Sequence, residues 1–130
     1  MKYIHITLFL FLFNVASAQV QNDTLSESFI YEAKVVDRMP QFPGGNGELY
    51  KFIARNYKVP NVTGLIGKVF VSFVVEVDGS LSDFKILKDL GRGTGEEAIR
   101  VLKLSPLWKP GVRKDRKVRV KYELPISLFN

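Results

Sequence analysis

One histidine, one adjacent pair of carboxylates and one glycine-rich loop are the features of this sequence that chemistry would draw on. His5 is the single histidine of the 130-residue chain, and cysteine is absent. It lies inside an apolar run from Ile4 to Val15, broken otherwise only by Thr7 and Asn14. With His5 set apart there, the rest of the chain can form neither a Ser-His-Asp nor a Cys-His arrangement, nor a zinc site ligated by His or Cys. Glu96 and Glu97 are sequence neighbours, and neighbours on a helix point roughly 100° apart, so they do not converge on one substrate atom. Acids in a first helical turn are stabilised by the helix dipole without any further role. Gly91-Arg92-Gly93-Thr94-Gly95 sits between a strand pattern and a helix pattern, where a phosphate-cradling loop would lie. Glu96 stands where the third glycine should be, and its charge repels phosphate. The reading is a turn and a helix cap, with no catalytic residue, cofactor or metal ligand: the chain is expected not to be an enzyme.

The N-terminus argues for export. Lys2 precedes the apolar run, and Ala16-Ser17-Ala18 matches the small-x-small pattern before a cleavage point, with Gln19 as the new first residue. The run holds about twelve residues, short of the roughly 20 that cross a bilayer. We therefore expect a signal peptide over 1–18, a flexible lead over 19–34 and one domain over 35–130. An uncleaved signal would instead leave the domain anchored at the inner membrane. The formal net charge is +6. Outside the cytoplasm such a surface suits anionic envelope components or acidic partner segments rather than nucleic acid. Without disulfides the domain must be held by its apolar core alone.

In the lead and the domain, Phe29 to Val36 has the composition of an extended or edge segment, and Met39 to Gly45 is a Pro/Gly break. Asn46 can cap a first helix in which Leu49, Phe52 and Ile53 share a face, and Pro60 forbids its continuation. Lys68 to Val77 alternates strongly, with Val69, Val71, Phe73, Val75 and Val77 on one face. Asp78-Gly79 predicts a type I′ hairpin turn into a second strand, Ser82 to Lys88, with Phe84 and Ile86 inward. Thr94 and Glu97 have capping-box spacing before a second helix whose inner face is Ala98, Ile99, Val101 and Leu102. Trp108 reads as a core anchor, and Arg113 to Lys121 as a solvated charged edge or a docking surface for acidic segments. A last strand places Val118, Val120, Tyr122 and Leu124 on one face, and its charged outer face and Pro125 suggest a sheet edge. The expected fold is α+β: a two-layer sandwich of two helices on a three-stranded antiparallel sheet, the sheet's other face polar.

Six motifs in order, Phe42-Pro43-Gly44-Gly45, Gly67 to Val75, Asp78-Gly79, Glu97-Ala98-x-Arg100, Ser105-Pro106-x-Trp108-x-Pro110-Gly111 and Val118 to Pro125, resemble the C-terminal domain of TonB energy transducers. The resemblance runs from about Val35 to Leu128. It implies a periplasmic module that grips the TonB box of outer-membrane TonB-dependent receptors by β-augmentation, in transport driven through ExbB and ExbD. It implies pairing by the backbone of Val118, Arg119, Val120, Lys121, Tyr122 and Glu123, with Asn56, Tyr57 and Pro60 approaching the receptor. ExbB/ExbD, an anchored transducer and a second copy of the chain are further candidate partners. Many relatives have a longer stretch where only Asn61 to Ile66 intervene here, and a form cleaved after Ala18 would carry no anchor. The alternative is an adaptor that binds peptidoglycan or other envelope proteins without transducing energy.

Overall fold

The computed structural model describes residues 28–130; the expected signal peptide and residues 19–27 of the lead lie outside the described residues. The elements run β1 (Ile30–Tyr31), a 3-10 turn (Ala33–Val35), α1 (Asn46–Asn56), β2 (Ile66–Val75), β3 (Leu81–Lys88), α2 (Thr94–Lys103), β4 (Gly111–Arg113) and β5 (Arg116–Phe129). The α+β class is as the sequence predicts, with two helices and the β2, β3 and β5 ladder sharing a core. The strand count is not. Two short strands join the three expected ones, giving the order β1-β5-β2-β3 with β4 also paired to β5.

The core forms where the apolar periodicities meet. Val69, Val71, Phe73 and Val75 of β2 pack with Leu124, Ile126 and Leu128 of β5, under Leu49 and Ile53 of α1 and Ala98, Val101 and Leu102 of α2. Trp108, 3% exposed, meets Phe42, Phe73 and Tyr122 edge-on at centroid distances of 5.8, 5.4 and 5.3 Å, the arrangement favoured by ring quadrupoles. Its anchoring role is as expected. Ser72 and Val74, on the other face of β2, are also buried, so that face is not uniformly polar. Among the described residues no buried side-chain nitrogen or oxygen lacks a partner, and no helix is long and apolar enough to cross a membrane.

Local geometry corrects four expectations. The β2–β3 connection is not type I′: Asp78 is not left-handed and Gly79 is, at φ +87. Gly79 N–H donates to the Glu76 carbonyl and Glu76 N–H to that of Ser80, a turn closed by a left-handed glycine. Asn46 opens α1 without capping it, since Gly45 holds the cap position. The capping box at α2 does not form. Thr94 Oγ1 accepts from Leu90 N–H and donates to the Gly91 carbonyl, while Glu97 takes Lys58 N–H at 3.1 Å and pairs with Arg100. Thr94 thus closes the glycine-rich loop on itself, which accounts for that loop structurally. Finally, residues expected in the lead are paired, because Ile30 and Tyr31 lie parallel to Arg119 and Val120.

Candidate partner-binding edge

β3 forms one border of the sheet and β5, with the short β1 beside it, the other. The outer side of β5 is covered near its start by β1: Arg119 lies beside Ile30, and Val120 between Tyr31 and Val75. Val118 lies opposite Gly111 of β4, on the side that faces β2. From Lys121 to Phe129, among the described residues, β5 pairs only with β2. The open edge is therefore displaced toward the C-terminus from the Val118–Glu123 span that the sequence suggested.

Two features show which backbone groups face outward. Lys114 and Asp115, at φ 49 and 61, make the two-residue turn of the β4–β5 hairpin, whose last pair is Arg113 with Arg116. That closing pair is hydrogen-bonded in such a hairpin, so alternation turns even-numbered residues of β5 toward β4. Pro125, which has no N–H, lies opposite Phe70 of β2. Proline is tolerated in a strand where the missing N–H would face the free side, which again turns even residues inward and odd ones outward. Of the six residues expected to pair with a partner, only Lys121 and Glu123 present backbone groups to the open side. Ser127 and Phe129 join them, and Pro125 contributes its carbonyl.

Arg119 is a structural clamp. Its Nε donates to Glu76 Oε2 at 2.6 Å and one terminal nitrogen to Glu76 Oε1 at 3.0 Å. The other terminal nitrogen donates to the Ser28 carbonyl at 3.1 Å, pinning the start of β1 to the sheet. The Arg119 hydrogen bond holds the Glu76 carboxyl below the ordinary carboxylate range, with help from Ser82.

Beside the open edge runs an apolar groove of about 360 Å³, walled by Tyr50, Tyr57 and Val59 on one side and by Ile126 to Phe129 on the other. Phe129 is 75% exposed, Tyr50 47% and Val59 39%, so large apolar side chains meet water next to unpaired backbone. At the other end a cleft of about 440 Å³ places Glu32, Lys34 and Met39 beside Lys121 to Glu123.

Asn56, Tyr57 and Pro60 lie toward the last residues of β5, not Val118 to Glu123. The Pro60 carbonyl accepts from Asn130 Nδ2 at 2.8 Å. Asn56 Nδ2 donates to the Phe52 carbonyl, and its own carbonyl accepts from Arg100. The Tyr57 hydroxyl donates to the buried Thr94 carbonyl at 2.6 Å, tying the end of α1 to the start of α2. Burial, with Glu97, Asp89 and Glu96 nearby, pushes that hydroxyl up to about 12. Tyr57→Phe is expected to cost about 1–2 kcal/mol, because the Thr94 carbonyl loses its partner. A phenol whose folded pKa lies above the unfolded value of about 10 stabilises fully below pH 10, and the effect is lost as pH rises through about 12. Thermal melts across that window should show wild type and Tyr57→Phe converging; parallel curves would remove the hydroxyl's role.

Sequence reasoning missed Tyr50, Ile126, Ser127, Leu128 and Phe129. The signal for the β5 residues was present, since the inward alternation of Val120 and Leu124 continues through Ile126 and Leu128.

Residues 62–128 match the family model described as the Gram-negative bacterial TonB protein C-terminal. The chain belongs to this family. It is also similar to two solution structures of the Helicobacter pylori TonB C-terminal domain. The structure of residues 194–285 is 22% identical, covers 64% of this chain and 90% of its own, and has a TM-score of 0.44. The structure of residues 179–285 is 25% identical, covers 68% and 88%, and has a TM-score of 0.40. No curated protein matches. For this TonB C-terminal domain, the open half of β5 and the groove along it form the surface best suited to an extended segment of another protein.

Proposed function

We propose that this chain is a periplasmic TonB-type binding module, without catalysis of its own, that engages the TonB box of outer-membrane receptors by adding it as a strand to β5. The observation that carries this is the nine-residue stretch Lys121–Phe129, unpaired on one side among the described residues and flanked by the apolar groove at Tyr50, Tyr57 and Val59. Main-chain hydrogen bonds would supply affinity, and alternate side chains entering the groove would supply choice. An added strand of this length buries little area, which suits a transient complex. Periplasmic placement rests on the export signal in residues 1–18, and coupling to ExbB/ExbD or to an anchored transducer on the family alone.

The test is titration of the chain with synthetic TonB-box peptides from receptors of the same cell, followed at the backbone amides. Saturable binding that perturbs the second half of β5 is expected. If no receptor segment binds, the receptor-engaging role falls and an envelope-adaptor role replaces it.

A further inference from the structure

The charge of this chain is segregated. Between Lys109 and Lys121 stand seven Lys or Arg residues and one acid, Asp115, which equals the whole formal net charge of +6; elsewhere cations and anions balance. The fold concentrates this segment in the β4–β5 hairpin, where β1 ends the open edge. Arg119 is committed to Glu76. The Arg113 guanidinium lies 5.1 Å from the Tyr31 ring centroid, and its Nε donates to the Val35 carbonyl. Lys114 uses its backbone N–H, not its ammonium, toward Asp37 Oδ2 at 2.7 Å. Among the described residues, the ammonium groups of Lys109, Lys114, Lys117 and Lys121 have no carboxylate partner. A cleft of about 250 Å³ opens here between Tyr31, Arg113, Lys114, Lys117 and Val118.

We propose that this hairpin selects partners whose edge-pairing segment is extended at one end by acidic residues. The inference rests on docking at β5 and adds the chemistry of the partner. A strand paired along Phe129 to Lys121 cannot continue pairing past Lys121, because Ile30 and Tyr31 occupy the next positions. Its next residues must leave the ladder over Tyr31, and about four extended residues, roughly 13 Å, reach Lys117. Carboxylates there meet unpaired ammonium groups, whereas basic residues meet like charge. Positive potential placed where the pairing ends would also speed encounter with an acidic segment.

The test uses one TonB-box peptide in four forms: bare, extended by three Glu at its N-terminus, extended by three Glu at its C-terminus, and extended by three Lys at the better of those ends. Fluorescence anisotropy at about 0.15 M salt should show one Glu extension binding about tenfold tighter than the bare peptide, since exposed pairs contribute modestly and add up, and the Lys form binding more weakly. The gain should vanish near 1 M salt, where screening reaches within about 3 Å. Lys114→Glu combined with Lys117→Glu should erase the gain while leaving affinity for the bare peptide unchanged. Equal affinity for bare and Glu-extended peptides overturns this inference and leaves docking at β5 standing; no binding by any form overturns both. Binding to phosphatidylglycerol vesicles that the double variant loses, with no gain from Glu extension, would assign the hairpin to an anionic membrane surface instead.

Discussion

Gly79→Ala is expected to destabilise the domain by about 3 kcal/mol or more and to lower its melting temperature by roughly 15 °C. Gly79 has φ +87, and a Cβ there would lie 2.0 Å from the Trp108 carbonyl oxygen and 3.0 Å from the Trp108 nitrogen. Both are backbone atoms, so no side-chain rotation relieves the contact. The same site carries the Trp108 N–H donation to the Gly79 carbonyl at 2.8 Å, which seats the indole among Phe42, Phe73 and Tyr122. Pushing the two chain segments apart would therefore loosen the aromatic centre of the core. Gly93→Ala separates the two contributions. Gly93 is left-handed at φ +76, ψ 14, and a Cβ there would meet nothing within 4 Å, so it should lose only the left-handed preference of about 1–2 kcal/mol. Melts followed by tryptophan fluorescence should rank the two far apart. A Gly79→Ala melt within about 3 °C of wild type would contradict the close approach.

Ser127→Pro is expected to abolish peptide docking, a loss of tenfold or more, with the fold intact, whereas Ile126→Pro should unfold the domain. Ser127 is exposed and lies opposite Lys68, with its N–H turned to the open side. Proline there removes no ladder bond, just as at Pro125, and its fixed φ suits an edge strand. A docking strand would lose a donor and meet the pyrrolidine ring. Ile126 is 4% exposed and opposite Val69, with its N–H in the ladder. Its replacement by proline removes both a core side chain and a β2 hydrogen bond, about 3 kcal/mol or more. Circular dichroism and peptide anisotropy read the pair together. Equal destabilisation by the two substitutions would overturn the outward parity, and wild-type affinity in Ser127→Pro would place docking elsewhere.

The legible parts of this fold were those carried by local periodicity. The alternation from Val69 to Val75, the i, i+3, i+4 spacing of Leu49, Phe52 and Ile53, and the aromatic anchor at Trp108 all stand in the structure. What was not legible depends on distant pairing or on competing local bonds. Ile30–Tyr31 falls in the stretch read as an extended or edge segment, but its partner lies nearly ninety residues away, and two residues are too short for a period to show which strand they join. The β4–β5 turn uses Lys114 and Asp115 in left-handed conformations without a glycine, so it read as a charge cluster. Thr94 and Glu97 have the spacing of a capping box, but the loop carbonyl of Gly91 and the side chain of Arg100 take them first. Pro125 marked the sheet edge, as the structure bears out, but the alternation was followed only to Leu124, so the stretch beyond it was not seen. The sequence pointed to β5 as the border, and pairing with β1 restricts the open part to its second half.

The decisive measurement for docking at β5 is amide hydrogen exchange along that strand, with and without a bound TonB-box peptide. In the free chain the amides of Tyr122, Leu124, Ile126 and Leu128 should exchange slowly and those of Glu123, Ser127 and Phe129 fast. Peptide binding should slow the second group and leave β3 unchanged. Protection that appears along Leu81 to Lys88 instead, or binding that leaves the odd-numbered amides of β5 fast, would contradict docking on this edge.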